Sequence, residues 1–398
     1  MQKTLKFNFK HTPLQILLFL IIALSHLAYA LEGPITIQGR VFMVNKEIAS
    51  GGEGTVYEVQ DTQSPYTQYA LKVQKISEIN PYEPMNPLYQ VNFNERENHF
   101  DFFHNRIRNL PQDLKKAFAF MPLTFDHIIH LPEPEFINAA KPEIRIRSGV
   151  ILMPLAEDTL NAEIKRLNEN LGFTIEQQQL ARSKIAIQVF NQIIKELHIL
   201  SVNSYSYLDL KPLNVAYSSQ ANTYSLLDLN SIFSTIYKED AHRMKLTTPI
   251  YAAPEIARSN KYSEISQLYS LAMTLLEVLD SNFLDKIRFR LLNQNNNYYD
   301  QTALERLEKS YLNSFAHIDR EKVAHLFLFI KAASEQDPYV RSQKLNELSF
   351  SPEILEIVKK ADAKQSRVSK LMESLKEKIK STTQSNSNSK KTCDGLFN

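Results

Sequence analysis

The stretch Tyr207-Leu208-Asp209-Leu210-Lys211-Pro212-Leu213-Asn214 decides how the rest of the sequence is understood. It places a carboxylate at Asp209 and a side-chain amide at Asn214, and a second carboxylate, Asp228, follows the apolar pair Leu226-Leu227. Phosphoryl transfer needs one aspartate to orient the attacking hydroxyl, and an asparagine and a second aspartate to hold magnesium. Asp209, Asn214 and Asp228 are candidates for these three roles.

Two features upstream of this stretch fit the same chemistry. The loop Gly51-Gly52-Glu53-Gly54 joins two strand-like segments, and glycine lets backbone amides approach phosphate oxygens closely. Lys72 follows in Tyr69–Val73, which alternates like a strand. Each feature alone also has a plainer interpretation. The loop could be a glycine hairpin without function, and Lys72 could be a solvated lysine on a strand.

The order and spacing of these motifs resemble a eukaryotic-type protein kinase over about residues 41–348. Tyr207–Asn214 and Asp228 resemble the catalytic and metal loops of that family. Ala253-Pro254-Glu255, with Thr248-Pro249 ahead of it, resembles the end of an activation segment. Asp337-Pro338-Tyr339-Val340-Arg341 resembles the D-P-x-x-R motif, whose arginine is expected to form a buried ion pair with Glu255.

The resemblance implies an α+β, bilobal protein-kinase-like fold. The smaller lobe is expected to hold an antiparallel β-sheet and one helix, and the larger lobe to be mainly helical. The expected divisions are a signal peptide (1–30), the N-lobe with extended loop insertions (31–157), the C-lobe (158–348), an amphipathic helical extension (349–380) and a disordered tail (381–398).

Catalytic roles also follow from the resemblance. Asp209 is expected to accept the substrate hydroxyl, and Lys211 to contact the transferred phosphate. Lys72 is expected to pair with the ATP phosphates and with a glutamate of the N-lobe helix. Glu97 is the expected glutamate, with Glu95 as an open alternative.

ATP and one or two Mg²⁺ ions are the cofactors that the resemblance implies. Asn214 and Asp228 are the expected metal ligands. The expected nucleotide-binding residues come from the glycine loop, the lysine strand and the hinge between the lobes, and they are Gly51, Gly52, Gly54, Val56, Ala70, Lys72, Met153, Leu155 and Ala156.

The sequence departs from the family pattern in four places. Ala49 replaces the first loop glycine, Tyr207-Leu208 replaces His-Arg, Leu229-Asn230 replaces Phe-Gly, and Gln267 replaces the aspartate of the central helix. Without the arginine, control through a phosphorylated activation segment is not expected. None of the four removes a group that contacts phosphate or metal. An active Ser/Thr kinase acting on a protein is therefore expected; the alternatives are a pseudokinase scaffold and a kinase-fold enzyme that transfers AMP.

Residues 93–108 are predicted to be a helix, with Phe100 at the spacing of a core-facing turn, and periodicity predicts a helix at 175–200. The apolar stripe of the second helix is Leu180, Ile185, Val189, Ile193, Leu197 and Leu200.

The resemblance implies that residues 266–277 form the central helix of the larger lobe, and that Ile144–Arg147 and Val150–Met153 are the fourth and fifth strands running into the hinge. Residues 104–142 are punctuated by prolines and are longer and more irregular than a minimal N-lobe needs. An extended region between the N-lobe helix and the fourth strand, or an inserted surface loop, would explain this.

Composition limits the partners. The chain carries 46 Lys+Arg against 44 Asp+Glu, so no basic field favours nucleic acid. The C-terminal segment has two apolar stripes, the first at Ile354, Ile357, Val358 and Ala361, the second at 368–379. Packing against the domain is the favoured interpretation, and contact with a membrane or partner is the alternative.

The N-terminus predicts export. Lys3, Lys6 and Lys10 precede an apolar run over 14–24 and the small-residue site Ala28-Tyr29-Ala30, as in a secretory signal peptide. An uncleaved membrane anchor and a buried helix are the alternatives. Because an exported kinase needs a compartment that contains ATP, we hypothesise a bacterial kinase secreted onward to act on host proteins.

Overall fold

The computed structural model describes residues 33–51, 54–79, 100–101, 104–130, 145–170, 172–234, 247–259, 262–282, 301–314, 317–348 and 350–363. The chain divides into an N-terminal unit (residues 1–110 and 120–156) and a C-terminal unit (residues 111–119 and 157–398). The predicted signal peptide, the second apolar stripe and the polar tail lie outside the described residues.

The N-terminal unit contains a six-stranded sheet with the order β1-β2-β3-β4-β6-β5. Every pairing in it is antiparallel. Buried side chains of one face, among them Phe42, Tyr57, Leu71 and Leu152, form its core. The strands are β1 (Pro34–Ile37), β2 (Arg40–Gly51), β3 (Gly54–Asp61), β4 (Gln68–Ile79), β5 (Thr124–His130) and β6 (Arg145–Pro154).

One prediction for this unit is wrong: the two strands expected at 144–147 and 150–153 form one strand, β6. The described part of the proline-punctuated region 104–142 contains β5 and the short helix α1 (Gln112–Ala117), which belongs to the C-terminal unit. Gly149 lies inside β6 and pairs with Gln74 and His127. The ring of buried Phe100 lies only 2.5 Å from where a Cβ on Gly149 would be. The glycine makes room for the ring, which confirms that Phe100 faces the core.

The C-terminal unit is mainly helical. Its short strands form two small sheets, one of the order β10-β9-β7 and one that pairs β11 with β8. The strands are β7 (Asp158–Thr159), β8 (Tyr205–Tyr207), β9 (Val215–Ser218), β10 (Thr223–Leu226) and β11 (Ile232–Ser234). The helices are α2 (Leu160–Glu169), α3 (Ile175–Val202), α4 (Pro254–Ser259), α5 (Glu264–Leu279), α6 (Gln301–Asn313), α7 (His317–Ala333), α8 (Pro338–Glu347) and α9 (352–363).

Helices α3 and α5 form the centre of this unit. α3 begins at a capping box between Thr174 and Gln177, which satisfies amides that the first helical turn leaves without partners. Its predicted stripe is buried from Val189 to Leu200, whereas Leu180 is exposed near the start of the helix. Every residue of α5 except Glu277 is buried, as expected for a helix that is packed on all sides.

The C-terminal helix α9 packs against the rest of its unit. Ile354, Ile357, Val358 and Ala361 are all buried, which confirms the packing interpretation for the first apolar stripe. Among the described helices, none combines the length and the apolar character that crossing a membrane requires.

Candidate active site

The loop after β8 is anchored by apolar side chains on both sides of Asp209. Leu208 and Leu210 are buried, and the Leu208 amide donates to the Ser231 carbonyl oxygen at 2.9 Å. A 3-10 turn over Pro212–Asn214 then brings Asn214 back towards the start of the loop. This alternation keeps the Asp209 side chain near the surface, where 11% of it is exposed.

Three donors hold the Asp209 carboxylate. Lys211 Nζ lies 2.6 Å from Oδ2, and Asn214 Nδ2 donates to the same oxygen at 3.2 Å and to the Asp209 carbonyl at 2.8 Å. The Thr248 amide donates to Oδ1 at 2.8 Å, and Lys211 Nζ also contacts Thr248 Oγ1 at 2.8 Å. The structure therefore brings Asp209, Lys211 and Asn214 together, as their predicted roles require.

Thr248 is a site residue that the sequence reasoning missed. The threonine-proline pair marked the end of the activation segment, but nothing in the sequence connected it with Asp209. The sequence signal that could have found Thr248 was its place near the end of the predicted activation segment, because a residue close before Ala-Pro-Glu could be expected to return to the catalytic loop.

Asp228 stands at a sharp change of chain direction. Its backbone is left-handed (φ 44°, ψ 64°), a conformation that aspartate adopts more readily than most residues, and a 3-10 turn over Leu229–Ser231 follows. The Leu227 amide donates to the Asn214 carbonyl at 2.8 Å, which ties the chain just before Asp228 to the catalytic loop. Leu229 is buried.

Tyr207 links the two loops. Its hydroxyl donates to the Leu227 carbonyl at 2.5 Å and to the Asp228 carbonyl at 3.3 Å. Burial, together with the nearby charges of Asp228 and Asp209, raises the pKa of the Tyr207 phenol well above its usual value. The phenol therefore stays protonated and remains a hydrogen-bond donor.

Gln267 of α5 binds the backbone of Tyr207. Gln267 Oε1 accepts from the Tyr207 amide at 3.1 Å, and Gln267 Nε2 donates to Ser201 Oγ at 2.8 Å. Tyr262 OH donates to the Tyr207 carbonyl at 2.6 Å. The backbone of Tyr207 is thus fixed at both its amide and its carbonyl by neutral side chains.

Glu196 is a second residue that sequence reasoning missed. It lies on α3, is buried, accepts from the Leu226 amide at 2.9 Å and also accepts from the Ser225 hydroxyl. Ser225 Oγ in turn accepts from the Ala119 amide at 3.0 Å. Burial raises the pKa of Glu196 to about 8, although both hydrogen bonds oppose that rise. Glu196 therefore fastens the strand that leads to Asp228 onto α3.

The predicted ion pair between Glu255 and Arg341 is confirmed. Arg341 is fully buried and donates to both Glu255 oxygens, at 2.7 and 3.1 Å. It also donates to the Glu335 carbonyl and lies 5.0 Å from the Tyr269 ring centroid. Ser266 Oγ donates to Glu255 at 2.8 Å. The pair connects α4 with α8 and is structural.

The predicted nucleotide-binding residues of the N-terminal unit share one face of its sheet. Val56 pairs with Lys72, and Ala70 of the same strand pairs with Met153. Residues two apart on a strand point to the same side, so these four side chains lie opposite the core face. Leu155 and Ala156 follow β6 directly.

The glycine loop is described only in part. Gly51 pairs with Gly54 at the hairpin end, and Gly52 lies outside the described residues. A side chain on Gly54, at φ +140°, would collide with the Val73 carbonyl oxygen of β4. Strand packing therefore requires a glycine at this position whether or not phosphate binds there. Glu95 and Glu97 lie outside the described residues, so the glutamate partner expected for Lys72 stays a prediction.

Asn214 and Asp228 are the residues expected to hold magnesium. Both carry the oxygen ligands that Mg²⁺ prefers, and the hydrogen bonds of Asn214 Nδ2 leave its amide oxygen for a cation. Among the described residues, no three or more His, Cys, Asp or Glu side chains form a group that could hold a metal. Mg²⁺ is commonly held by one or two carboxylates together with substrate phosphates, so this small donor set suits an ion that arrives with a nucleotide.

The comparisons with known proteins agree with this geometry. The family model described as "Protein kinase domain" matches residues 151–394, more than half of the chain. The chain belongs to the protein kinase family. The fold class predicted from the sequence is confirmed by the antiparallel sheet, the helical C-terminal unit and the structural neighbour described next.

One curated relative and one solved structure illustrate the likeness. The serine/threonine-protein kinase nekl-2 of Caenorhabditis elegans is 29% identical over 96 residues, which are 24% of this chain and 27% of that protein. The chain thus matches about a quarter of that relative's length. The ROP18 kinase domain, solved in complex with AMP-PNP and sucrose, has a TM-score of 0.52 at 16% identity and covers 89% of this chain and 91% of its own. At that identity the likeness shows the fold alone.

Proposed function

We propose that this kinase is an ATP- and Mg²⁺-dependent protein serine/threonine kinase that transfers the γ-phosphate of ATP to a protein hydroxyl. The observation that carries the proposal is the Asp209 carboxylate, held by Lys211, Asn214 and Thr248 within hydrogen-bond distance. A pseudokinase scaffold would not need a carboxylate that is oriented in this way.

The contacts of Asp209 indicate where a substrate would bind. An ionised carboxylate has about four acceptor positions, two on each oxygen. Oδ2 accepts from Lys211 and Asn214, whereas Oδ1 has one donor among the described contacts, the Thr248 amide. Oδ1 therefore has room for one more donor, and we assign it the role of accepting the substrate hydroxyl proton.

The remaining residues have supporting roles. Lys211 Nζ, 2.6 Å from Asp209, is placed to contact the phosphate as it moves to the hydroxyl. Asn214 and Asp228 would hold Mg²⁺, which supplies positive charge against the phosphates when it is bound. Lys72 and the glycine loop would bind the phosphates of ATP. Serine/threonine preference rests on Lys211-Pro212 and on the partial match to a serine/threonine kinase.

The test compares ATP labelled on the γ- or the α-phosphate, with the purified full-length chain and generic protein substrates. We expect γ-label on serine or threonine, no α-label, and loss of labelling with EDTA. Asp209→Asn keeps the shape of the side chain but removes its basicity, so it should lower the rate by about 10² to 10⁴-fold.

Each contrary result has a distinct meaning. α-Label on the product would identify AMP transfer, and γ-label on tyrosine would contradict the serine/threonine assignment. The absence of both labels, with ATP bound weakly or without magnesium dependence, would identify a pseudokinase scaffold and refute the proposal.

We also propose that the chain is exported and acts on host proteins. Support comes only from the sequence, in the lysines, apolar run and Ala28-Tyr29-Ala30 site of the first 30 residues. Mass spectrometry of the protein from its producer should find Leu31 at the N-terminus, outside the cytoplasm. Intact, uncleaved protein in the producer's cytoplasm would contradict export.

A further inference from the structure

Helix α9 is attached to the C-terminal end of α3. Lys360 Nζ donates to the carbonyls of Ser201 and Val202, at 2.7 and 2.6 Å. These residues end α3, where a cation is favourable, although the Ser201 carbonyl also accepts from the Ser204 amide at 3.0 Å. Glu356 of α9 also contacts His198 of α3 at 2.7 Å.

Lys360 binds the backbone carbonyl of Ser201, and the side chain of the same serine begins a series of hydrogen bonds towards Asp228. Ser201 Oγ accepts from Gln267 Nε2 at 2.8 Å, and Gln267 Oε1 accepts from the Tyr207 amide at 3.1 Å. The Tyr207 hydroxyl then donates to the carbonyls of Leu227 and Asp228. Ser201, Gln267 and Tyr207 are all 0% exposed, so water does not substitute for a bond that is lost.

We propose that α9 is a positioning element of the kinase, in which Lys360 holds the end of α3 and, through Ser201, Gln267 and Tyr207, the backbone at Asp228. The proposal rests on the proposed function for its catalytic consequence only. Lys360 contacts no reacting group, so it is a positioning residue. A buried, fully bonded polar network has one good arrangement, and removing an end partner loosens the rest.

The first test measures hydrogen exchange in the full-length chain without nucleotide. Lys360→Met removes the ammonium but keeps an unbranched side chain, and Lys359→Met is the matched control, because Lys359 is exposed on the same helix. We expect the amides of β8 and of residues 227–231 to exchange about tenfold faster in Lys360→Met. This factor corresponds to the free energy that a cation contributes at the C-terminal end of a helix. Lys359→Met should match the wild type, and Lys360→Arg should restore most of the protection.

The second test measures kinase kinetics on the same variants. Lys360→Met should lower kcat about tenfold, the lower end of the effects seen when a group that orients a metal ligand is removed. The KM for the protein substrate should stay unchanged, since α9 is assigned no substrate contact. A general loss of folded protein would instead appear as a lower melting temperature and a uniform loss of signal.

Ser201→Ala tests the same series of contacts at a second point, in case Lys360→Met does not fold. This substitution removes the acceptor of Gln267 Nε2 while leaving the Ser201 carbonyl that Lys360 binds. It should also raise exchange at residues 227–231, and in the double variant with Lys360→Met the two effects should be less than additive.

Two outcomes would overturn the proposal. One is exchange at residues 227–231 that is the same in Lys360→Met, Ser201→Ala and Lys359→Met; the other is strictly additive effects. Hydrogen exchange needs no catalysis, so an inactive wild type would count against the proposed function and would leave this test intact.

Discussion

Breaking the ion pair between Glu255 and Arg341 should destabilise the C-terminal unit by an amount that its burial predicts. Arg341 is 0% exposed and the Glu255 side chain 12% exposed. Glu255→Gln keeps the size and one acceptor but removes the negative charge, which leaves a buried guanidinium facing an amide. Removal of one partner of a buried pair costs about 3 to 5 kcal/mol. We expect about 3 kcal/mol, because the Glu335 carbonyl and the Tyr269 ring still contact Arg341.

Urea unfolding of the wild type and of Glu255→Gln measures the difference in their free energies of unfolding. In thermal unfolding, a loss of about 3 kcal/mol should lower the melting temperature by roughly 6 to 12 °C in a unit of this size. The matched control is Glu169→Gln, which breaks the exposed pair with Lys165 and should cost no more than about 0.5 kcal/mol. A difference below about 1 kcal/mol between the two variants would refute the reasoning, since the pair would then behave like one on the surface.

Three further predictions follow from single contacts. The folded-state pKa of Glu196, about 8, lies above its ordinary value of 4.5, so its contribution to stability is lost as pH rises through that interval. Between pH 4.5 and 8 the free energy of unfolding of the wild type should fall relative to Glu196→Gln by about 4 to 5 kcal/mol, measured by urea titration; parallel curves would contradict the assignment. Gly54→Ala should cost more than about 1 kcal/mol, beyond the cost of Gly39→Ala, because only Gly54 faces the Val73 carbonyl; equal costs in urea unfolding would exclude the clash. Tyr207→Phe should cost about 1 kcal/mol and increase hydrogen exchange at Asp228, and unchanged exchange would show that the hydroxyl does not hold that backbone.

The sequence predicted the parts of this molecule whose chemistry is local. Asp209, Lys211 and Asn214 lie within six residues of one another, so a loop with buried leucines at 208 and 210 brings them together without help from distant segments. The buried stripe of α3 follows from periodicity alone. The partnership of Glu255 and Arg341 spans the unit, and it was predicted from the family pattern and not from local sequence.

The features that the sequence did not predict depend on tertiary contacts. The sequence predicted two strands, at 144–147 and 150–153, and only the pairing of Gly149 with Gln74 of β4 and His127 of β5 shows that they form one strand. Thr248 and Lys360 reach the catalytic loop or α3 from segments far away in sequence. Glu196 was not singled out from the sequence, because its role depends on its contact with Leu226 of β10, which lies beyond the catalytic loop.

The neutral residues at 208 and 267 make physical sense as a pair. Leu208 is neutral where the family pattern has an arginine, and position 267 is fully buried, so an aspartate there would need a cationic partner to offset the cost of burying its charge. Gln267 avoids that cost and keeps the geometry, because one amide accepts from the Tyr207 backbone and donates to Ser201 at the same time. The departures therefore replace a charged support of the catalytic loop with a neutral one. They leave the carboxylate at Asp209 and its three donors in place, so their presence is no argument that the chemistry has been lost.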